Sequence, residues 1–140
     1  MFSTDAVAPG YLMISSESML VGKEDCYGMY KLANAKVNGF DSWVRQPTSG
    51  PQRFLFRSAT SNNWIIGGVS GDDSSVEMRT EFSSLWPHSP KLLWGYIDTD
   101  GSVFYDMNMM AAEDRECRYF LSQSGLCRIL KVNCDWKCLK

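Results

Sequence analysis

Between Cys26 and Ser70, apolar and polar residues alternate, and turn residues interrupt the alternation at regular steps. An alternation of period two puts every second side chain on the same side of an extended chain, so this stretch predicts four successive β-strands. In Cys26–Leu32, the residues Cys26, Gly28, Tyr30 and Leu32 share one face, and Tyr27, Met29 and Lys31 share the other. Asn38-Gly39 supplies residues that tolerate the positive φ angles of a type I′ turn, and Phe40–Arg45 returns as the partner strand. Gln46–Pro51 is a loop by composition. Arg53–Ser58 is a strand with apolar residues on both faces at its centre, Asn62-Asn63 is a turn, and Trp64–Val69 is the next strand. Its terminal Gly67-Gly68 predicts a bulge or a close backbone approach.

The pattern continues in both directions. Residues 1–10 form a loose arm, and Tyr11–Ser15 reads as a short strand. In Val76–Phe82, Val76, Met78, Thr80 and Phe82 lie opposite Glu77, Arg79 and Glu81, so one face is solvated. Ser83–Pro90 is a proline-pinned connection. Lys91–Asp98, the turn Asp100-Gly101 and Ser102–Asp106 form a further hairpin. Together these make about seven or eight short strands, which predicts a mainly β fold, an antiparallel sandwich or barrel. After Asp106 the character changes. Met107–Gln123 is rich in helix-forming residues, with Asp106 placed to cap its start and Gly125 just past its end, and it predicts one amphipathic helix. Beyond it, Cys127–Val132 fits a strand and Cys134–Cys138 a helical turn. The expected organisation is an arm (1–10), an antiparallel β domain (11–106) and a helix with a cysteine-bearing extension (107–140) packed on the same domain.

Several short motifs occur in a fixed order within the β region: Gly28-Met29-Tyr30, Asn38-Gly39-Phe40, Phe54-Leu55-Phe56, Trp64-Ile65-Ile66-Gly67, Trp86-Pro87, Trp94-Gly95-Tyr96 and Asp100-Gly101. Their succession resembles an aromatic-rich β module of protist, algal and invertebrate proteins, over the span Gly28–Asp106. The resemblance implies a non-catalytic building block that is often attached to other domains. It carries over no catalytic residue and does not reach the cysteine-bearing tail.

Composition narrows the chemistry. A chain of 140 residues is one domain by default and buries a core without help from metals. The net charge of −2 and the lack of any lysine or arginine run argue against a nucleic-acid partner. The N-terminus has no basic region followed by an apolar run, so no signal peptide is visible, and no stretch reads as a transmembrane helix. The five cysteines are Cys26, Cys117, Cys127, Cys134 and Cys138. An odd count leaves at least one outside any intrachain pair, and the spacing leaves structural disulfides, buried thiols and metal ligation all open. If the cysteines pair, an extracellular or lumenal location is favoured. Cys138, flanked by Lys137 and Lys140, is a candidate for a thiol of lowered pKa.

No motif calls for a cofactor or a dedicated metal site. The single histidine, His88, sits in the loop Pro87–Pro90, where no catalytic partner is indicated. Asp98-Thr99-Asp100-Gly101 fails as a calcium loop because Tyr96 and Met107 occupy positions that need ligands, and a hairpin turn explains it. Trp43, Trp64, Trp86 and Trp94, with Tyr27, Tyr30 and Tyr96, are candidates for a stacking platform, and His88, Asp72 and Asp73 are further candidate binding residues; the alternative for any one of the aromatics is the core, and Trp86, in a loop, is the best exception. Met107, Met109 and Met110 at the expected helix start, with Trp136, are candidates for a docking surface, since methionine adapts to irregular partners. The residues therefore favour a non-catalytic protein-interaction module, an accessory or adaptor subunit. A carbohydrate-binding module using Trp86 is the alternative, and an enzyme assembled from Asp72, Asp98 and Asp106 comes third.

Overall fold

A computed structural model describes residues 7–17, 22–46, 50–89, 92–98, 100–113, 128–132 and 135–139, the last two segments as backbone only. The chain forms a mainly β structure, and among the described residues there is no α-helix. The strands are β1 (Tyr11–Ser15), β2 (Gly28–Leu32), β3 (Trp43–Gln46), β4 (Phe54–Arg57), β5 (Trp64–Gly67), β6 (Val76–Thr80), β7 (Trp94–Ile97), β8 (Val103–Asp106), β9 (Met110–Glu113), β10 (Arg128–Val132) and β11 (Asp135–Leu139). Strands β10 and β11 pair with each other as a separate two-stranded sheet.

The other nine strands make one antiparallel sheet in the order β8-β7-β6-β5-β4-β3-β2-β1-β9. From β1 to β8 this is a simple meander, each strand pairing with the next. The last strand breaks the rule, because β9 returns to pair with β1 through Leu12↔Glu113, Met13↔Ala112, Ile14↔Ala111 and Ser15↔Met110. A flat nine-strand sheet would hold its outer strands about 38 Å apart at the usual inter-strand spacing. Yet β8 and β9, the two edges, are separated in sequence only by Met107–Met109. That short connection reaches no more than about 14 Å. The sheet must therefore curl into a half-barrel. Both edges run in the same direction, so Val103–Glu113 behaves as one strand with a kink, pairing with β7 through its first half and with β1 through its second.

The kink has its own polar anchor. Asp106 is buried, and its carboxylate accepts hydrogen bonds from the Tyr27 hydroxyl at 2.9 Å and from the Asn108 amide at 3.1 Å. The Met109 amide donates to the Asp106 carbonyl and tightens the turn. The helix expected from Met107 is corrected over its first residues: Met110–Glu113 is strand, because β1 offers an unpaired edge and backbone pairing there outweighs the weak helical preference of Met, Ala and Glu. Residues 114–127, the rest of that expected helix, lie outside the described residues. The helical turn expected at Cys134–Cys138 is also corrected, since Asp135–Leu139 is a strand.

The concave face carries the core. Cross-strand partners place Leu32, Trp43, Leu55, Ile66, Met78, Tyr96 and Phe104 in one row from β2 to β8. Leu12 faces Tyr30 beside this row, and Thr80 faces Trp94. Trp43, Trp64 and Trp94 are all buried; the first two meet edge to face with ring centroids 5.9 Å apart. Two of these indoles have a backbone partner for the N–H: Trp43 Nε1 donates to the Pro9 carbonyl at 2.9 Å and Trp64 Nε1 to the Ser84 carbonyl at 3.1 Å. The aromatics thus fill the half-barrel instead of lining an open cup.

The turn chemistry follows the residues. Asn38 and Gly39 both have positive φ, and Val37 and Phe40 exchange two backbone hydrogen bonds around them, a small hairpin within the β2–β3 connection. The register shift between Ile66 and Gly67 is the bulge expected from the glycine pair. A Cβ at Gly67 would lie 2.6 Å from the Ser75 hydroxyl, so the close approach admits glycine alone without rearrangement.

Candidate functional site

Two surface features stand out, and they meet. The first is built on the kinked strand. Phe104, Tyr105, Met107 and Met110 are large apolar residues left exposed, Met107 at 78% and Met110 at 50%, all within one short stretch at the edge of the half-barrel. Phe104 stacks on Tyr96 with centroids 5.4 Å apart, and the Tyr105 hydroxyl donates to Glu81 at 2.6 Å, which raises the Tyr105 pKa. The aromatic rings of this edge are therefore held, and the methionines project from the kink that Asp106 fixes.

The second feature is a charged rim at the end of the half-barrel where β2 begins and β3 ends. Alternation continues the inner-facing positions of the core outward: Trp43 is followed two residues on by Arg45, and Leu55 is preceded by Arg53. The Arg45 amide donates to the Arg53 carbonyl at 2.9 Å, so the two arginines stand opposite each other across the strand pair at this end. Arg53 is held by Asp25 Oδ2 at 2.8 Å. Lys23 is held by Glu77 at 2.8 Å, with its ammonium 5.6 Å from the Tyr96 ring centroid. The Lys23–Tyr96–Phe104 sequence of contacts joins the charged rim to the apolar edge.

Beneath the rim lies Cys26, buried and unpaired as a thiol. Its pKa is pushed up to about 12, first by burial and then by the charge of Asp25, with Arg53 opposing. Burial likewise pushes Tyr30 well above its ordinary value; its hydroxyl donates to the Cys26 carbonyl at 2.7 Å. These groups stay protonated near neutrality, which suits a core and not a nucleophile. Cys117, Cys127 and Cys134 lie outside the described residues, as do the side chains of Cys138 and Trp136.

The residues singled out from sequence end up in separate places. Trp43 belongs to the core with no exposed surface, so it is unavailable as a binding platform. Trp86 is half-buried against that core, its ring 5.7 Å from the half-buried His88 ring. Burial lowers the His88 pKa and the Glu113 carboxylate opposes, while Nδ1 is buried without a hydrogen-bond partner. Asp72 is exposed and accepts from the Ser74 amide and hydroxyl, which lowers its pKa. Asp73 accepts from Ser58 and Thr60 and ties its 3-10 turn to the β4–β5 turn. Asp100 accepts from the Ser102 amide, as its hairpin role requires. Met109 is buried, unlike Met107 and Met110, because the kink turns it toward the core.

The sequence reading passed over Lys23, Arg45, Arg53, Phe104 and Tyr105. A signal was present for the arginines: extending the Trp43 and Leu55 faces by two residues puts two like charges on the inner side. Among the described residues, no group of three His, Cys, Asp or Glu is arranged to hold a metal ion, and no helix is long and apolar enough to cross a membrane. Comparison with protein-family models, curated proteins and solved structures found no match to this chain.

Proposed function

We propose that this protein is a non-catalytic interaction module that docks onto a protein partner through the kinked strand β8–β9. The observation that carries the reading is the run of exposed apolar side chains at Phe104, Tyr105, Met107 and Met110 on a sheet edge. Phe104 lies on the concave face with Tyr96, and Tyr105 on the opposite one, so the kinked strand offers apolar side chains on both sides of the edge, more than singly scattered residues would. An edge strand adds unpaired backbone groups that a partner segment can satisfy. The charged rim bordering the edge at Tyr96 supplies the polar surround that interfaces have outside their apolar centre.

The test is capture from the native source with the intact chain and with a Met107→Glu, Met110→Glu double variant. Both side chains are exposed, so the substitutions remove little buried surface, and the melting temperature of the variant checks that it folds. A partner retained by the intact chain and lost by the variant supports the reading. A partner held equally by both, or glycan binding with no protein partner, sinks it.

A further inference from the structure

We infer that the charged rim is a binding site for a small oxyanion, with Arg45 as the residue that grips it. Arg45 Nε donates to the Tyr27 carbonyl at 2.7 Å, which fixes the guanidinium plane. Gly28, whose φ of +126° favours glycine, runs directly beside it: a Cβ there would be in van der Waals contact with Arg45 Nε at 3.4 Å and Nη2 at 3.6 Å. Held in this way, the two terminal nitrogens of Arg45 form a forked pair of donors, the arrangement that matches a carboxylate, phosphate or sulfate with two parallel hydrogen bonds. Among the described residues neither nitrogen has a hydrogen-bond or ion-pair partner.

The surrounding charges point the same way. Each acid at the rim is already engaged: Asp25 with Arg53, Glu77 with Lys23, and Glu24, whose carboxylate accepts from the Gly22 amide at 2.9 Å. Arg45 is the rim cation left without an acid, and it stands cross-strand from Arg53, a second cation. An anion seated on the Arg45 fork would give that guanidinium the acidic partner it lacks, and Arg53 and Lys23 would add field without leaving their partners. The anion needs no metal and forms no covalent bond. This inference is independent of the docking surface on β8–β9.

The experiment is titration of the full chain with sodium phosphate, sodium sulfate and sodium acetate, each against sodium chloride at matched ionic strength. It is followed by thermal unfolding and by titration calorimetry. The variants are Arg45→Gln, Arg45→Lys and, as a surface-charge control, Lys36→Gln in the exposed β2–β3 connection. The expected result is saturable stabilisation by at least one oxyanion beyond chloride. Arg45→Gln weakens binding about tenfold or more, and Arg45→Lys weakens it by keeping the charge while losing the fork. Which anion saturates first separates a carboxylate ligand from a tetrahedral one. The inference is overturned if no anion exceeds chloride, if Arg45→Gln binds as the parent does, or if Lys36→Gln reduces binding equally. Should Arg45→Gln fail to fold, unchanged binding by Arg45→Lys overturns it in the same way.

Discussion

At the scale of single residues, environment decides what a side chain can do. Cys26 could pair, ligate or react on its sequence alone; in the fold it is a free thiol buried beneath Asp25 and Arg53. Its ordinary value is 9.0, and in the folded chain it rises to about 12. Between those values the unfolded chain has released a proton that the folded chain still holds. Alkali therefore favours unfolding, and this part of the stability, fully present below about pH 9, is lost as pH rises toward 12. Cys26→Ser is expected to flatten the fall of melting temperature with pH in that window. Mass mapping after alkylation at pH 8 should leave the native Cys26 peptide unmodified until denaturant is added. Rapid labelling of the native peptide would contradict its burial. Arg45 and Arg53 show the converse, because their positions on the alternating pattern were readable while their side-by-side placement needed the β3–β4 register.

At the scale of elements, local pattern identified the strands well and their neighbours less well. Val76–Thr80 was legible from its alternation, and Tyr11–Ser15, Phe54–Leu55–Phe56 and Trp64–Gly67 as short apolar runs beside turn or loop residues. Met110–Glu113 was not, since Met, Ala and Glu favour a helix and only the open edge of β1 makes the strand the better choice. The β7–β8 hairpin depends on one glycine. A Cβ at Gly95 would lie 2.9 Å from both the Phe104 carbonyl oxygen and the Tyr105 ring. Because the first of these is backbone, the clash cannot be relieved by a rotamer change. Gly95→Ala is expected to cost about 1–3 kcal/mol in denaturant unfolding. It should also displace Phe104 and Tyr105, so that partner binding falls further than stability alone explains. An unchanged unfolding midpoint would refute the tight approach.

At the scale of the whole molecule, the half-barrel is held together where its ends meet. A chain ending at Asp106 keeps the meander but loses β9, its four pairings with β1 and the buried Met109. It also loses the Asn108 amide that the Asp106 carboxylate accepts from. The expected outcome is a lower melting temperature and a broader transition than for a chain ending at Lys140. Equal melting curves would show that the closing strand contributes nothing. Local residue pattern is enough for the β class, most strand positions and the turns. It also marked which tryptophans sit in strands and can enter a core, because those depend on neighbours two to four residues apart. Tertiary structure alone decided that Val103–Glu113 is one kinked strand closing the sheet, that Met107 and Met110 face out while Met109 turns in, and that Arg45 and Arg53 share the rim. Each of these rests on contacts between segments far apart in the chain, and the free energy of pairing an otherwise open edge exceeds any preference written in the local residues.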